Sequence, residues 1–215
     1  MRTSMTRGVL VAFFGPDGTG KSTLADAVIT ALRPSFTSTT LFHWRPKVLP
    51  QINALLHGGK TSYTLADMSR PHRAKPSGEL GSALRASYYC ADYVIGYQTR
   101  IAPLLRRGGL VVFDRYFHDF LVDPERVRIK RGAAVLPLLE RLVPKPDLCV
   151  VCWAPPEVLL ARKQELPEEE LVRQVAGYRA MASSMRACLE VDTRSPVAHC
   201  VRDIQEHVAR YCALA

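Results

Sequence analysis

Gly15-Pro16-Asp17-Gly18-Thr19-Gly20-Lys21-Ser22 is the stretch that decides the fold, because it fits the pattern G-x-x-x-x-G-K-[ST]. The apolar run Val9–Phe14 precedes it, and Lys21–Leu32 follows with apolar residues at helical spacing. A glycine-rich loop between a strand and a helix can curl until backbone N–H groups point at phosphate oxygens, next to the positive end of the helix dipole. The stretch therefore predicts a site for the phosphates of a nucleotide.

Two side chains of this loop have expected roles in holding Mg-ATP. Lys21 is expected to reach the β- and γ-phosphates, and the Ser22 hydroxyl is expected to help hold Mg²⁺. The other residues predicted to bind the nucleotide are Gly15, Asp17, Gly18, Thr19, Gly20 and Thr23. The pattern predicts nucleotide binding and leaves the fate of the phosphate open.

Strands alternate with helices along the rest of the chain. The predicted strands are Val9–Phe14, Thr39–Trp44, Leu110–Phe113, Leu148–Trp153 and Cys188–Val191. The predicted helices are Lys21–Leu32, Ala83–Arg107, Ala133–Leu142, Pro155–Gln164, Pro167–Arg186 and Pro196–Tyr211, and residues 45–76 are predicted as a loop with short helices. This alternation predicts an α/β fold with a parallel sheet covered on both faces, as a single domain over residues 1–215.

The charge and the apolar content of the chain indicate which kinds of molecule it could bind. The chain has 215 residues, 29 of them basic and 20 acidic, for a net charge of +9 that attracts anions. Because the basic residues are scattered, a phosphate-handling enzyme fits at least as well as a nucleic-acid-binding protein, and no nucleic-acid partner is expected. No run approaches the roughly 20 apolar residues that span a bilayer, so we expect no membrane segment and a cytoplasmic protein.

The cysteines are predicted to be free thiols in the core. Cys149 and Cys152 form a C-x-x-C inside a predicted strand, where residues three apart point to opposite faces. A shared metal or a redox disulfide is therefore not expected, and the six cysteines indicate a reducing compartment.

A second charged pair, Asp114-Arg115, follows the apolar run Leu110–Phe113. The carboxyl ends of strands in an open α/β sheet are where ligands bind. Asp114 is expected to orient Mg²⁺ or its waters, and Arg115 is expected to clamp an acceptor phosphate with its bidentate fork. The alternative is a structural ion pair at the end of the strand.

These motifs resemble the thymidylate kinase group of P-loop nucleoside monophosphate kinases. The resemblance rests on Asp17-Gly18 inside the loop, on Lys21-Ser22-Thr23 and on Asp114-Arg115-Tyr116. It continues through Pro146-Asp147 into Pro155-Pro156-Glu157-Val158 and Arg162, and so runs in order along essentially the whole chain. It implies a P-loop NTPase three-layer sandwich with a five-stranded parallel sheet, a helical lid at about residues 155–175, Mg-ATP as donor and a small phosphorylated acceptor.

The resemblance also implies roles for individual residues. Asp17 would contact the sugar hydroxyl of the acceptor, Arg115 would bind its phosphate, and Arg45, before Pro46, would assist. Arg162 is expected to close over the transferring phosphate from the lid. His118 and Asp119 are candidates for contacting the acceptor or serving as a base, with hydrogen-bonded structure as the alternative.

Two departures from the family pattern lie on the acceptor side. Tyr93 stands in Ala91-Asp92-Tyr93 where thymidylate kinases usually carry an arginine. The segment that reads thymine after the Asp-Arg is replaced by residues 117–124. The chain also resembles thymidylate-kinase-like proteins of bacterial surface-polysaccharide gene clusters, whose acceptor need not be a nucleotide.

The sequence thus favours an ATP-dependent phosphotransferase acting on dTMP or a related phosphorylated acceptor. A kinase for a sugar or a surface-polysaccharide precursor is the alternative on the same fold. A nucleotide-dependent switch or a nucleic-acid-binding ATPase is the alternative from another class. A homodimer is left open.

Overall fold

The computed structural model describes residues 7–50, 78–163, 166–185 and 187–214. Five parallel strands form one sheet: β1 (Val9–Phe14), β2 (Thr39–His43), β3 (Leu110–Asp114), β4 (Leu148–Trp153) and β5 (Cys188–Asp192). Their order across the sheet is β2-β3-β1-β4-β5, with β1 in the centre. The α/β fold class and the five-stranded parallel sheet are confirmed.

Helices join the strands. They are α1 (Lys21–Leu32), α2 (Glu79–Gly96), α3 (Ala102–Arg106), α4 (Asp119–Val122), α5 (Val135–Glu140), α6 (Pro156–Arg162), α7 (Glu168–Ser184) and α8 (Val197–Leu214). A π-helical turn, Tyr97–Ile101, continues α2 into α3, and 3-10 turns cover Arg33–Ser35 and Pro124–Val127. Within the described residues, no helix is long and apolar enough to cross a bilayer.

One face of the sheet packs against α1 and α8. Alternate residues of the central strands point to this face because side chains in a strand alternate with a period of two. They meet Leu24, Val28, Ile204 and Val208, which are at most 3% exposed. The buried strand residues of this cluster are Val9, Val11, Phe13, Leu110, Val112, Leu148, Val150, Cys152 and Val191.

The opposite face carries α7. Trp153 and Glu190 alternate with the residues of the first core and so point the other way. Arg179 of α7 lies over the Trp153 ring at 4.5 Å and pairs with Glu190 at 2.9 Å. These contacts place a helix on this second face, which gives the three predicted layers.

The described chain forms two compact units. The first contains all five strands and consists of residues 1–44, 100–116 and 145–215; the second consists of residues 45–99 and 117–144. In the second unit, α2 packs against α5, and the Cys90 thiol donates to the Leu139 carbonyl. Tyr93, Phe117 and Phe120 form an aromatic core beside these helices. That the chain is a single domain stays a prediction.

Among the predicted helices only α1 keeps its bounds, and the ends of the others differ by one to four residues. α2 begins at Glu79 rather than Ala83, because Lys130 stabilises its first turn: its backbone N–H donates to Ser82 Oγ and its ammonium to Glu79. α5 covers only Val135–Glu140 because Leu142 and Val143 continue it as tight turns. The short helix α4 carried no detectable periodicity, and most of the predicted loop over residues 45–76 lies outside the described residues.

The cysteines are free thiols, and Cys149 and Cys152 are both buried, as expected of core thiols. Burial raises the pKa of each of these two to about 12, so neither is a reactive thiolate near neutral pH.

Truncation on α8 tests the first core. Val208 is fully buried and Val197, on the same helix, is 47% exposed. Val208→Ala should lower the free energy of unfolding by about 2 kcal/mol, because it removes buried methyl groups and leaves a cavity. The matched Val197→Ala should cost under about 0.5 kcal/mol. Urea denaturation of both variants measures the difference, and equal costs would contradict the packing of α8 described above.

Candidate functional site

The loop between β1 and α1 begins at Gly15, where the backbone of β4 is too close to admit a side chain. Gly15 has φ 134°, and a Cβ at this position would lie 2.1 Å from the carbonyl oxygen of Cys152. Gly18 and Gly20 also have positive φ, and α1 begins directly after Gly20. The predicted strand, loop and helix are therefore all present, with the loop curled against the carboxyl end of the sheet.

Lys21 turns back over this loop. Its ammonium donates to the Pro16 carbonyl at 2.7 Å and lies 3.5 Å from Thr19 Oγ1. Burial disfavours the charged form and lowers the pKa of Lys21 to about 8, with a further lowering by the nearby positive charge of Arg115. Asp17 and Asp114 oppose this shift. The site thus holds a buried cation that an anion would stabilise.

Ser22 and Asp114 come together across the sheet. The Ser22 hydroxyl donates to Asp114 Oδ2 at 2.6 Å, and His43 Nδ1 lies 3.6 Å from the same oxygen. The strand register explains both contacts. His43 of β2 stands directly opposite Asp114. Phe13 of β1 also stands opposite Asp114, and the loop that follows β1 leads to Ser22.

The donor set at Ser22 and Asp114 fits Mg²⁺. A hydroxyl and a carboxylate are hard oxygen ligands, and Mg²⁺ on a nucleotide takes one or two such protein ligands with phosphate oxygens and waters. Among the described residues no group of three or more His, Cys, Asp or Glu side chains could hold a metal ion. The Ser22 and Asp114 oxygens could thus supply one or two ligands to a Mg²⁺ that a nucleotide also coordinates.

Arg115 lies beside the loop in an unusual backbone conformation. Its φ is 75°, uncommon for a residue with a side chain, and its N–H donates to the Phe13 carbonyl at 3.0 Å. Its guanidinium forms a hydrogen-bonded ion pair with Asp17 and donates to the Tyr178 hydroxyl at 3.3 Å. Such strain is characteristic of functional sites, and here it directs a buried guanidinium toward the phosphate loop.

Arg162 lines a cavity on another side of the loop. Its guanidinium donates to the carbonyl and the hydroxyl of Thr193, at 2.9 and 3.2 Å. The cavity has a volume of about 270 Å³. Its lining includes Gly18, Thr19, Gly20, Thr23, Thr193 and Ser195. In this conformation Arg162 therefore borders the space beside the loop, and its closure over a transferring phosphate stays a prediction.

The remaining predicted residues belong to the second unit. Arg45 pairs with the buried Asp92 at 3.2 Å. His118 Nε2 lies 3.0 Å from Glu140 Oε1. Asp119 is buried in the first turn of α4, where its carbonyl accepts from Asp123. Their roles toward an acceptor stay predictions.

With this geometry in place, the chain can be compared with known proteins. No family model matches it. It is 32% identical over 160 residues to the thymidylate kinase of Xanthomonas oryzae pv. oryzae, an alignment that covers 72% of this chain. It is 28% identical over 154 residues to a probable thymidylate kinase of Archaeoglobus fulgidus. The chain is thus similar to thymidylate kinases over most of its length.

The chain matches only part of the length of these relatives. The alignment spans 60% of the Xanthomonas protein's length and 68% of the Archaeoglobus protein's. The crystal structure of thymidylate kinase from Ehrlichia chaffeensis superposes with a TM-score of 0.61, covering 93% of this chain and 99% of that one at 16% identity. This superposition supports the P-loop NTPase fold of this chain.

Two neighbours of the predicted site had no signal in the sequence. Tyr178 bonds to Arg115 from 63 residues away, and His43 approaches Asp114 from the next strand. Tyr178 lies one helical turn after Gln174, and this spacing indicates a shared face of α7 but not the residue that the face contacts. Which side chain meets that face depends on tertiary packing.

Gly15→Ala tests the close approach of the loop to β4. The added Cβ must displace the Cys152 carbonyl and occupy a left-handed conformation, so stability should fall by about 1–3 kcal/mol. ADP affinity should fall as well, because the loop amides move. Gly78→Ala is the matched control, since that glycine has φ −58° and no atom within 4 Å of its Cβ position. Denaturation and ADP titration of both variants give the comparison, and a Gly15 variant that behaved like the control would contradict the geometry.

The lowered pKa of Lys21 predicts a pH-dependent stability. Folded Lys21 loses its proton near pH 8 and unfolded Lys21 near 10.5, so between these values the unfolded chain binds more protons. The free energy of unfolding should therefore rise with pH over this interval, by on the order of 3 kcal/mol for this group.

Lys21→Met provides the matched comparison. It lacks the titrating amine, so the stability of the wild type relative to the variant should increase from pH 8 to 10.5. Urea denaturation at several pH values measures both proteins, and parallel curves would show that Lys21 is not buried as a lowered-pKa amine.

Proposed function

We propose that this protein is an ATP-dependent nucleoside monophosphate kinase that transfers the γ-phosphate of Mg-ATP to dTMP. The observation that carries the proposal is the convergence of Lys21, Ser22, Asp114 and Arg115 at the end of β1 and β3. A nucleotide-binding loop alone would explain only Lys21 and Ser22. The buried guanidinium of Arg115, beside this loop, would supply a cation that binds the phosphate of an acceptor.

The donor side uses the loop and α1. Phosphate oxygens would take the place of the Pro16 carbonyl as partners of the Lys21 ammonium, and the loop N–H groups would donate to them. A bound anion would return the Lys21 pKa toward its ordinary value, so the lysine would be charged when phosphate is present. Ser22 and Asp114 would hold Mg²⁺, which neutralises charge on the β- and γ-oxygens when bound.

The acceptor side uses Arg115. Tyr178 holds one side of its guanidinium, and Asp17 occupies the other. An acceptor phosphate would compete with Asp17 for this fork, and the released Asp17 carboxylate could then accept a hydrogen bond from the acceptor's sugar hydroxyl. An acceptor oxygen so placed attacks the γ-phosphorus as the bond to the bridging oxygen breaks, and ADP leaves. The chain contributes mostly position and charge.

A specific observation supports a second candidate acceptor. Tyr93, at the position where the family pattern expects an arginine, is 1% exposed and packs edge-on against Phe117 at 5.7 Å. It is therefore part of an aromatic core, and no cation reads a base from this position. If dTMP is not used, the departures from the family pattern at Tyr93 and at residues 117–124 favour a phosphorylated sugar as acceptor, such as a surface-polysaccharide precursor.

A turnover screen tests the proposal. ADP release from Mg-ATP is followed with dTMP, the other nucleoside monophosphates and a panel of sugar phosphates. We expect rapid ADP formation with dTMP and loss of about 100-fold or more in kcat for Lys21→Ala, because its cation is lost from the developing charge. Circular dichroism and melting of the variant control for folding.

Each other outcome of the screen has a defined meaning. Turnover with a sugar phosphate alone would establish the second candidate. ADP formation that needs no acceptor would favour a nucleotide-dependent switch or an ATPase. Unchanged turnover in Lys21→Ala would contradict the assignment of the site.

A further inference from the structure

His43, the last residue of β2, lies beside the carboxylate of Asp114. The parallel register pairs Leu41 with Val112 and His43 with Asp114. Paired residues of neighbouring strands direct their side chains to the same face of the sheet, and Val112 belongs to the core that packs against α1. His43 and Asp114 therefore both lie on the face that carries Ser22, the second residue of α1.

The backbone after His43 holds this arrangement. The Trp44 N–H donates to the Asp114 carbonyl at 3.0 Å. Trp44 has φ 70°, a left-handed conformation that is uncommon for a residue with a side chain. The chain thus leaves β2 through a strained residue that is still bonded to the end of β3. Such strain is found at functional sites, and here it keeps the imidazole next to the carboxylate.

The two oxygens of the Asp114 carboxylate have different surroundings. Oδ2 accepts from the Ser22 hydroxyl at 2.6 Å and lies 3.6 Å from His43 Nδ1. No described residue donates a hydrogen bond to Oδ1, and Oδ1 is not among the buried atoms that lack a partner. The protein therefore holds one oxygen and leaves the other accessible to a ligand.

The imidazole is a second group that can hold Oδ2. The 3.6 Å contact is longer than a hydrogen bond, so Ser22 is the residue that bonds to Oδ2 in this structure. The His43 side chain is 63% exposed, so it can move the remaining distance without disturbing the core. An imidazole N–H would then donate to Oδ2 beside the Ser22 hydroxyl.

We propose that His43 is a positioning residue for the metal of the nucleotide complex. By donating from Nδ1 to Oδ2, it fixes the orientation of the Asp114 carboxylate, so that Oδ1 is available to Mg²⁺ or to its waters. Groups that orient the ligands of a metal ion raise the affinity for that ion. This inference deepens the proposed function: it rests on that proposal for the Mg-nucleotide, and on the Asp114 contacts for His43.

Metal binding tests this role separately from turnover. Mn²⁺ suits the same hard oxygen ligands, and its free form is followed by electron paramagnetic resonance. It is titrated into wild type and His43→Leu, each in excess over ADP so that the nucleotide is bound. The dissociation constant for Mn²⁺ should rise roughly tenfold or more in His43→Leu, as for loss of a group that orients a metal ligand. ADP binding in a chelator should be unchanged, because Lys21 and the loop are intact.

Two variants control the result. His43→Asn keeps an N–H donor near the position of Nδ1 and should restore most of the Mn²⁺ affinity. His199→Leu removes an exposed histidine of α8 and should bind Mn²⁺ as the wild type does. Because the His43 side chain is mostly exposed, its variants should melt at the temperature of the wild type.

The outcomes distinguish this inference from the proposed function. Mn²⁺ binding that depends on His43, without turnover of dTMP, would retain the inference and reject dTMP as the acceptor. Equal Mn²⁺ affinities of wild type and His43→Leu would overturn the inference, as would failure of wild type to bind Mn²⁺ with ADP.

Three further results would also overturn it. Equal losses in His43→Asn and His43→Leu would show that an N–H donor is not what matters. Weaker ADP binding in the chelator would show that His43 acts on the nucleotide rather than on the metal. A lower melting temperature of His43→Leu would show a structural role.

Discussion

The close approach of Gly15 to the Cys152 carbonyl is the constraint from which the site follows. A Cβ at residue 15 would lie 2.1 Å from that oxygen, so only glycine fits at the position where the chain leaves β1. This exit places the loop over the end of the sheet and starts α1 at Lys21. The parallel register then brings Asp114 beside Ser22, and Arg115 beside Asp17.

This packing gathers four charges in a small, mostly buried space. Lys21 and Arg115 repel one another, and Asp17 and Asp114 balance them only in part, since burial still lowers the pKa of Lys21 to about 8. An empty loop is thus electrostatically unfavourable, and a polyphosphate would relieve it.

The sequence predicted the parts of the molecule that local pattern determines. The bounds of β1, α1 and β4 agree with the structure, because buried parallel strands read as continuous apolar runs and the loop marks where the first helix begins. Lys21 and Ser22 were identified by the loop pattern, and Asp114 and Arg115 by the rule that ligands bind at the carboxyl ends of the strands.

What the sequence could not predict depends on contacts between distant residues. Tyr178 finds Arg115 only through the packing of α7 on the sheet, and nothing in its own segment indicates this. The first turn of α2 is held by Lys130, far along the chain.

The division of the chain into two units has a consequence for how such a protein diversifies. All five strands belong to one unit, and the other consists of two excursions of the chain, residues 45–99 and 117–144. Insertions or deletions inside an excursion do not shift the register of any strand, and lengthening a loop costs little. The second unit can therefore change in length and in sequence while the strand order of the sheet and the loop after β1 are kept.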